Sequence, residues 1–342
     1  TESNIQINEV SVTAEFFQKS PDLLLSTQTS SSEEIRRLPG GFEDVVRAIS
    51  TLPGVAQAQS GRNDLIVRGG SPGENLYIVD NIEVPNINHF GTQGFSGGPL
   101  SYINLDFVDN TTFSSGGFGA RYGDRLSSVL TINLKDGRKD RLGGKATISA
   151  TQFGLNFEGP FSEDGSFIFS ARRSYLDFIF KAAGFSFVPE YWDFFTKSSY
   201  HLSMKDEIHF IGFGILDNTR AFNTTSNNIY DNSKILQSKQ NQFVGGLSWR
   251  HLYNSGYLTL SASHLFTDYN YRQNDTLLNP IFLNNSNESE SSLKFDAVLQ
   301  LTKSTEISAG IQSKFIRFNS DIILPIFTTS FVNVSAYTYS QI

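Results

Sequence analysis

The side chains with the most latent chemistry are five histidines, His89, His201, His209, His251 and His264, set among 34 acidic and 27 basic residues. None stands in an HExxH spacing, and no cluster of Asp, Glu and His gathers ligands for a metal, so isolated polar imidazoles are the simpler reading. There is no GxSxG turn to expose a nucleophile and no GxxxxGK[ST] loop to cradle phosphate. Gly117-Phe-Gly-Ala-Arg-Tyr-Gly123 misses the dinucleotide spacing and opens no convincing helix. The absence of cysteine removes disulfides and thiolate sites as well. Catalysis has no constellation to work with: the chain reads as a non-enzyme, with no cofactor implied.

The composition narrows what the elements around such residues must be. Only 18% of the 342 residues are charged and the net charge of -7 comes without a basic stripe, which argues against nucleic acid as a partner. Thirty Phe, 13 Tyr and 28 Gly in an Asn/Ser/Thr-rich background favour β structure. No stretch approaches the roughly 20 apolar residues of a spanning helix, whereas the short, half-polar strands of a β-barrel remain allowed.

The texture changes near Gly143. Before it, Phe42 to Leu52 predicts a helix with Val45, Val46, Ile49 and Leu52 on one face, stopped by Pro53-Gly54. Short strands are expected at 65–67, 76–79 and 129–134, giving a compact α+β unit. From Gly144 the period is two, as in Leu293, Phe295, Ala297, Leu299 and Leu301 against Lys294, Asp296, Val298 and Gln300. A phase slip at Thr151-Gln152 predicts a tight hairpin. Ten strands are expected at 144–150, 153–159, 166–174, 197–204, 206–216, 242–252, 256–267, 293–302, 305–317 and 331–341. After the first hairpin the connections alternate short and long, with the long ones at 175–196, 217–241, 268–292 and 318–330. A sandwich has no reason to gather every long connection at one end; an outer-membrane barrel does. Aromatics near the strand ends (Trp249, Phe266, Phe315, Tyr337, Tyr339) would suit an interfacial girdle, and Tyr191-Trp-Asp-Phe-Phe195 falls in the first long loop, where it could stack on a flat ring or simply pack.

Four motifs in order carry a resemblance: Leu52-Pro-Gly-Val55; Leu65-Ile-Val-Arg-Gly-Gly70; Asn75-Leu-Tyr-Ile-Val-Asp-Asn-Ile-Glu-Val84; and the run Ser115 to Asn133 with its GGFGARYGDRLSSVLTIN. Together they resemble the plug domain of TonB-dependent outer-membrane receptors, in a style most similar to those of Bacteroidota. The implied organisation is a TonB-box-like segment at 1–14, a plug at 15–142 and a partial barrel at 143–342. The implied fold is an α+β plug followed by an antiparallel transmembrane β-barrel. Glu9-Val-Ser-Val-Thr-Ala14 resembles the TonB box, whose alternating Val10, Val12 and Ala14 would suit strand addition to a partner; an ordinary first plug strand is the rival reading.

The resemblance implies transport of a scarce nutrient by TonB-coupled plug rearrangement, at the outer membrane with the plug and termini on the periplasmic side. Its implied partners are TonB with its inner-membrane energising complex, outer-membrane lipid, an unidentified nutrient and a surface lipoprotein. Ligand contact would fall to Arg68, Asn86, Asn88, His89 and Phe90, and plug–barrel contact to Arg121 and Arg125, with a plug–barrel ion pair as the rival role for Arg68. Two positions depart from the family pattern: Ser115 replaces a usual Arg, and Asn81 replaces the Gly of a DG turn, which Asn tolerates. A plug of this size cannot sit in a ten-stranded barrel, since plugged transporters need about 22 strands. The sequence is therefore expected to be a fragment or part of a barrel that a second chain completes. A plugged-barrel scaffold or signalling receptor, and a soluble β-rich adhesin or binding module, are the alternatives.

Overall fold

The computed structural model describes residues 26–41, 43–149, 152–302, 305–326 and 338–341. The N-terminal unit runs β1 (Thr27–Ser31), α1 (Ser32–Arg36), α2 (Val45–Ile49), β2 (Val55–Gln57), β3 (Leu65–Val67), β4 (Asn75–Val79), β5 (Ile82–Val84), β6 (Asn88–His89), β7 (Leu100–Ser101), β8 (Val108–Ser114) and β9 (Ser128–Leu134). Its main sheet has the order β1-β8-β9-β4-β5, with β4 and β9 parallel. Between β4 and β5 the two loop residues Asp80 and Asn81 both take positive φ, 45° and 70°. That is the primed turn whose twist matches a hairpin, and it explains how Asn81 serves where Gly is usual.

The expected helix is shorter than its apolar stripe, because Asp44 starts it late. The Asp44 carboxylate accepts from the amides of Val46 and Arg47 at 2.8 and 3.2 Å, and its other oxygen accepts from Asn63 Nδ2 and the Ser101 amide, both at 2.8 Å. One buried side chain therefore caps α2 and ties it to the loop at Asn63 and to β7. Asp44→Ala would leave these donors unpaired, at a cost of about 3 kcal/mol. Amide exchange at Val46, Arg47 and Ser101 is expected to speed up by about a hundredfold; unchanged protection would show that water replaces the carboxylate without loss. The sequence reading missed α1, although Ser31 and Glu34 form a reciprocal capping box there.

The second unit is a ten-stranded antiparallel meander in sequential order: β10 (Gly143–Ile148), β11 (Gln152–Pro160), β12 (Gly165–Ser174), β13 (Phe187–His201), β14 (Asp206–Ala221), β15 (Gln237–Tyr253), β16 (Gly256–Asn274), β17 (Pro280–Thr302), β18 (Thr305–Ile326) and β19 (Thr338–Gln341). Helices α3 (Leu176–Ala182) and α4 (Ser226–Asn232) sit in two connections at one end. Ten segments were expected and ten strands form, including the hairpin closed by Ser149 and Gln152. The long connections expected at 268–292 and 318–330 are corrections: β16 and β17 continue through the first and leave only 275–279 unpaired, and β18 runs on to Ile326 through the second. At ~3.3 Å per residue β17 reaches about 75 Å, far beyond a bilayer core. Its Asn/Ser/Glu-rich outer half is polar on both faces, so no apolar alternation marked it in the sequence. Tyr191–Phe195 likewise lies within β13 rather than in a loop. Aromatics on both parities hid the period there, with Tyr191 and Phe195 facing inward and Trp192 and Phe194 stacked outward at 5.9 Å.

The apolar parity of the meander points away from the N-terminal unit. Phe210, Phe243, Leu247, Leu293, Ile311 and Phe315 are all exposed on it, as is fitting for a lipid-facing wall and contrary to a sandwich, which would bury them. Trp249 and Phe266 share that outward parity; Tyr337 lies outside the described residues. The inward parity meets the N-terminal unit in one continuous apolar cluster, in which Ile82, Val84, Tyr102 and Phe107 join Ile168, Phe195, Ile211, Phe213 and Val244. No strand of the N-terminal unit pairs with the wall among the described residues.

Candidate functional site

The densest polar contact between the two units centres on His89. The β6 strand presents its imidazole, 1% exposed, to two carboxylates of the wall. Nδ1 lies 2.7 Å from Asp217 Oδ1 on β14 and Nε2 lies 3.2 Å from Asp193 Oδ2 on β13. A neutral imidazole would turn a lone pair toward one of these oxygens, whereas an imidazolium donates to both. Burial alone would lower the His89 pKa, but Asp217 and Asp193 outweigh it and hold it up at about 9. Arg172 on β12 completes a balanced set of two cations and two anions, with Nε donating to Asp193 Oδ1 at 2.7 Å and Nη2 to the carbonyl of Tyr102. Tyr191 stacks on the imidazole at 4.0 Å.

The neighbouring backbone is fixed by the same groups. Phe90 takes φ +50°, costly for a non-glycine residue, and its amide donates to Asp217 Oδ2 at 2.6 Å. Tyr271 on β16 donates to the Gly91 carbonyl at 3.0 Å, and Gln93 bonds to Asn284, Ser286 and Glu288 on β17 at 3.0 to 3.1 Å. The loop from Asn86 to Gln93 thus straps consecutive wall strands from the inside.

A second set of contacts surrounds the Asp80–Asn81 turn. Lys197 on β13 meets Asp80 at 2.8 Å, Asp136 at 3.0 Å and the Leu134 carbonyl at 2.9 Å, where the chain passes from one unit to the other. Arg121 donates to Asn81 at 2.8 Å and lies 3.4 Å from Asp296 on β17. Lys314 on β18 meets Glu83 at 2.5 Å. Burial alone would raise the Glu83 carboxyl, but Lys314 and Gln312 hold it below its ordinary range.

The family model for the TonB-dependent receptor plug domain matches residues 20–128, which contain β1 to β8 and His89, whose contacts with Asp193 and Asp217 latch the plug to the wall. Residues 20–128 are a TonB-dependent receptor plug domain, and the sheet that follows has the fold of the barrel wall in receptors of that kind. Among solved structures, the fold is similar to FpvA of Pseudomonas aeruginosa bound to a heterologous pyoverdine (TM-score 0.64, 11% identity, 94% of this chain and 48% of that one). It is also similar to the alcaligin outer-membrane receptor FauA of Bordetella pertussis (0.62, 13%, 89% and 49%). A third is the siderophore receptor PirA of P. aeruginosa (0.61, 17%, 90% and 52%). This chain spans about half the length of these structures. No curated protein sequence matches it.

Against this plug and wall, the residues expected to act divide into groups. Glu9, Val10, Ser11, Val12, Thr13 and Ala14 lie outside the described residues. Asn86, Asn88 and His89 are buried with protein partners: Asn86 receives the Asn88 amide, Asn88 accepts from Asn63, and His89 forms the latch. They sit beneath the surface expected for ligand contact, because the loop folds inward onto the wall. Phe90 is half-buried, and Arg68 is exposed at φ +50°, donating to Ser26 Oγ at 2.7 Å within the plug. Arg121 reaches Asp296 of the wall, whereas Arg125 donates to the Asp124 carbonyl beside it. The carboxylates Asp193 and Asp217 went unmarked in the sequence. An acid at an inward-parity position between outward aromatics, as in Trp192-Asp193-Phe194, was the signal available.

Proposed function

We propose that the chain forms the plug and part of the barrel of an outer-membrane receptor that captures a scarce nutrient at the cell surface and imports it when TonB engages Glu9–Ala14. The observation that carries this reading is the manner in which the plug is seated. It lies on the inner face of a wall whose outer face is apolar, held by side-chain contacts and, among the described residues, by no shared backbone ladder. Ion pairs and hydrogen bonds between side chains can be exchanged for water, whereas a continuous sheet would make the plug part of the wall. The end bearing α3 and α4 faces outward in this reading, the short turns face the periplasm, and Arg68 and Phe90 meet ligand while Asn86, Asn88 and His89 support them from behind. The named ligands of the similar structures support an iron chelate as the first nutrient class to test.

Deleting the gene is expected to abolish growth on one scarce nutrient, tested across iron chelates, cobalamin and glycans. The full gene should restore growth, and a version lacking residues 9–14 should not. Normal growth on all of them, with loss of a surface protein complex, would replace import by scaffolding.

A further inference from the structure

A cavity of about 350 Å³ lies between the plug sheet and the wall, at the end bearing the short turns. Its wall side is formed by Lys197, His209, Arg250 and Tyr257, and its plug side by Arg121 and Thr131 among others. Three fixed cations and a histidine thus converge on it, against one carboxylate in the lining, that of Asp80. Two of the cations are already matched, Lys197 by Asp80 and Asp136 and Arg121 by Asp296.

Arg250 is different. Its guanidinium lies over the Tyr257 ring at 4.7 Å, and no carboxylate comes within ion-pair distance of it among the described residues. Glu207 is its cross-strand neighbour, but that carboxylate is turned to His201 at 3.3 Å and His209 at 3.5 Å. Thr131 Oγ1, on the plug sheet facing the cavity, is buried without a hydrogen-bond partner. A buried hydroxyl without a partner and an exposed guanidinium that lies over an aromatic ring with no carboxylate beside it are complementary to the oxygens of a small anion. The volume sits at the lower end of the range for ligand pockets.

We infer that this cavity is a binding site for a small carboxylate- or phosphate-bearing anion, anchored by Arg250 on Tyr257. It rests on the import reading in one respect: lying between plug and wall at the inner end, it would hold anionic cargo on its way out. The other source of the same chemistry is a free periplasmic anion entering from below.

The test is calorimetric titration of citrate and of inorganic phosphate into the detergent-solubilised receptor. One saturable site is expected, weakened at least tenfold by Arg250→Ala and by Arg250→Gln, partly retained in Arg250→Lys and untouched by Arg37→Ala on the plug surface. Absence of saturable binding, or equal affinity in Arg250→Ala, overturns the site; heat-modifiable gel migration confirms that each variant is folded. The cargo role is read separately in cells. Arg250→Ala should leave surface binding of the imported nutrient unchanged and slow its import severalfold. Unchanged import alongside lost citrate binding overturns the cargo role and assigns the site to a periplasmic anion. Because the titration needs no transport, failure of the import reading and failure of the site are distinguishable.

Discussion

His89→Leu is expected to unseat the plug. Leucine roughly fills the imidazole's space but donates nothing, leaving Asp217 with only the Phe90 amide and Asp193 with only Arg172. Removing one partner from a buried ionic set costs about 3–5 kcal/mol, because the remaining charge stays buried. Amide protection across 84–101 in the solubilised receptor should therefore fall by about 10² to 10³, and cells should become permeable to bulky antibiotics. A double replacement, His89→Leu with Asp217→Leu, should recover part of the loss, since two apolar groups restore the balance that one destroys. Wild-type protection in the single variant would show that the apolar contacts alone seat the plug.

The same histidine gives the latch a pH limit. Its pKa is raised from the ordinary value near 6.5 to about 9, so the folded state binds the proton more tightly than the unfolded one. The contribution, of the order of 3 kcal/mol, is complete below about pH 6.5 and is lost as the pH rises through about 9. Plug protection should follow that course in the wild type and lose this dependence in His89→Leu.

The second large effect concerns two adjacent glycines. A Cβ at Gly246 would come within 2.6 Å of Ile82 Cγ1 and 3.3 Å of Ile211 Cγ1, in the apolar seam between plug and wall. At Gly245 it would meet nothing within 4 Å, because that position faces outward. Gly246→Val is expected to push the β4–β5 hairpin off the wall at a cost of about 1–3 kcal/mol or more, disturbing the Glu83–Lys314 pair beside it. Gly245→Val should be neutral or slightly stabilising, since a β-branched residue suits an outward strand position. The pair is read by the melting temperatures of the two variants and by plug protection. Equal effects would mean that the plug does not bear on β15 at Gly246.

Much of this architecture was legible in the chain, and for a physical reason. A strand between lipid and a filled lumen must alternate, so Leu293 to Leu301 announced both the strand and its outward face. The Asp80–Asn81 turn was readable because few residues accept left-handed geometry. The outer half of β17 was not, since beyond the membrane both faces may be polar and the period vanishes. His89 was found as a residue of interest, but its partners lie 104 and 128 residues away on strands whose acids look like ordinary polar alternation. Only the folded curvature of the wall brings them together. The cap at Asp44 shortened a helix whose apolar stripe began earlier, and Arg250 could be distinguished from other arginines only once its cross-strand Glu207 was seen to turn away.

The sequential order of the wall has a consequence for how the molecule is assembled. Each wall strand pairs with its neighbour in the chain, so closing each hairpin orders only a short loop. The contacts that seat the plug are of another kind: Glu83 meets Lys314 across 231 residues, and nothing can reward that closure until β18 is in place. Topology therefore sets a kinetic order in which neighbouring strands zip first and the plug docks last. Losing the plug's contacts would break no ladder of the wall among the described residues.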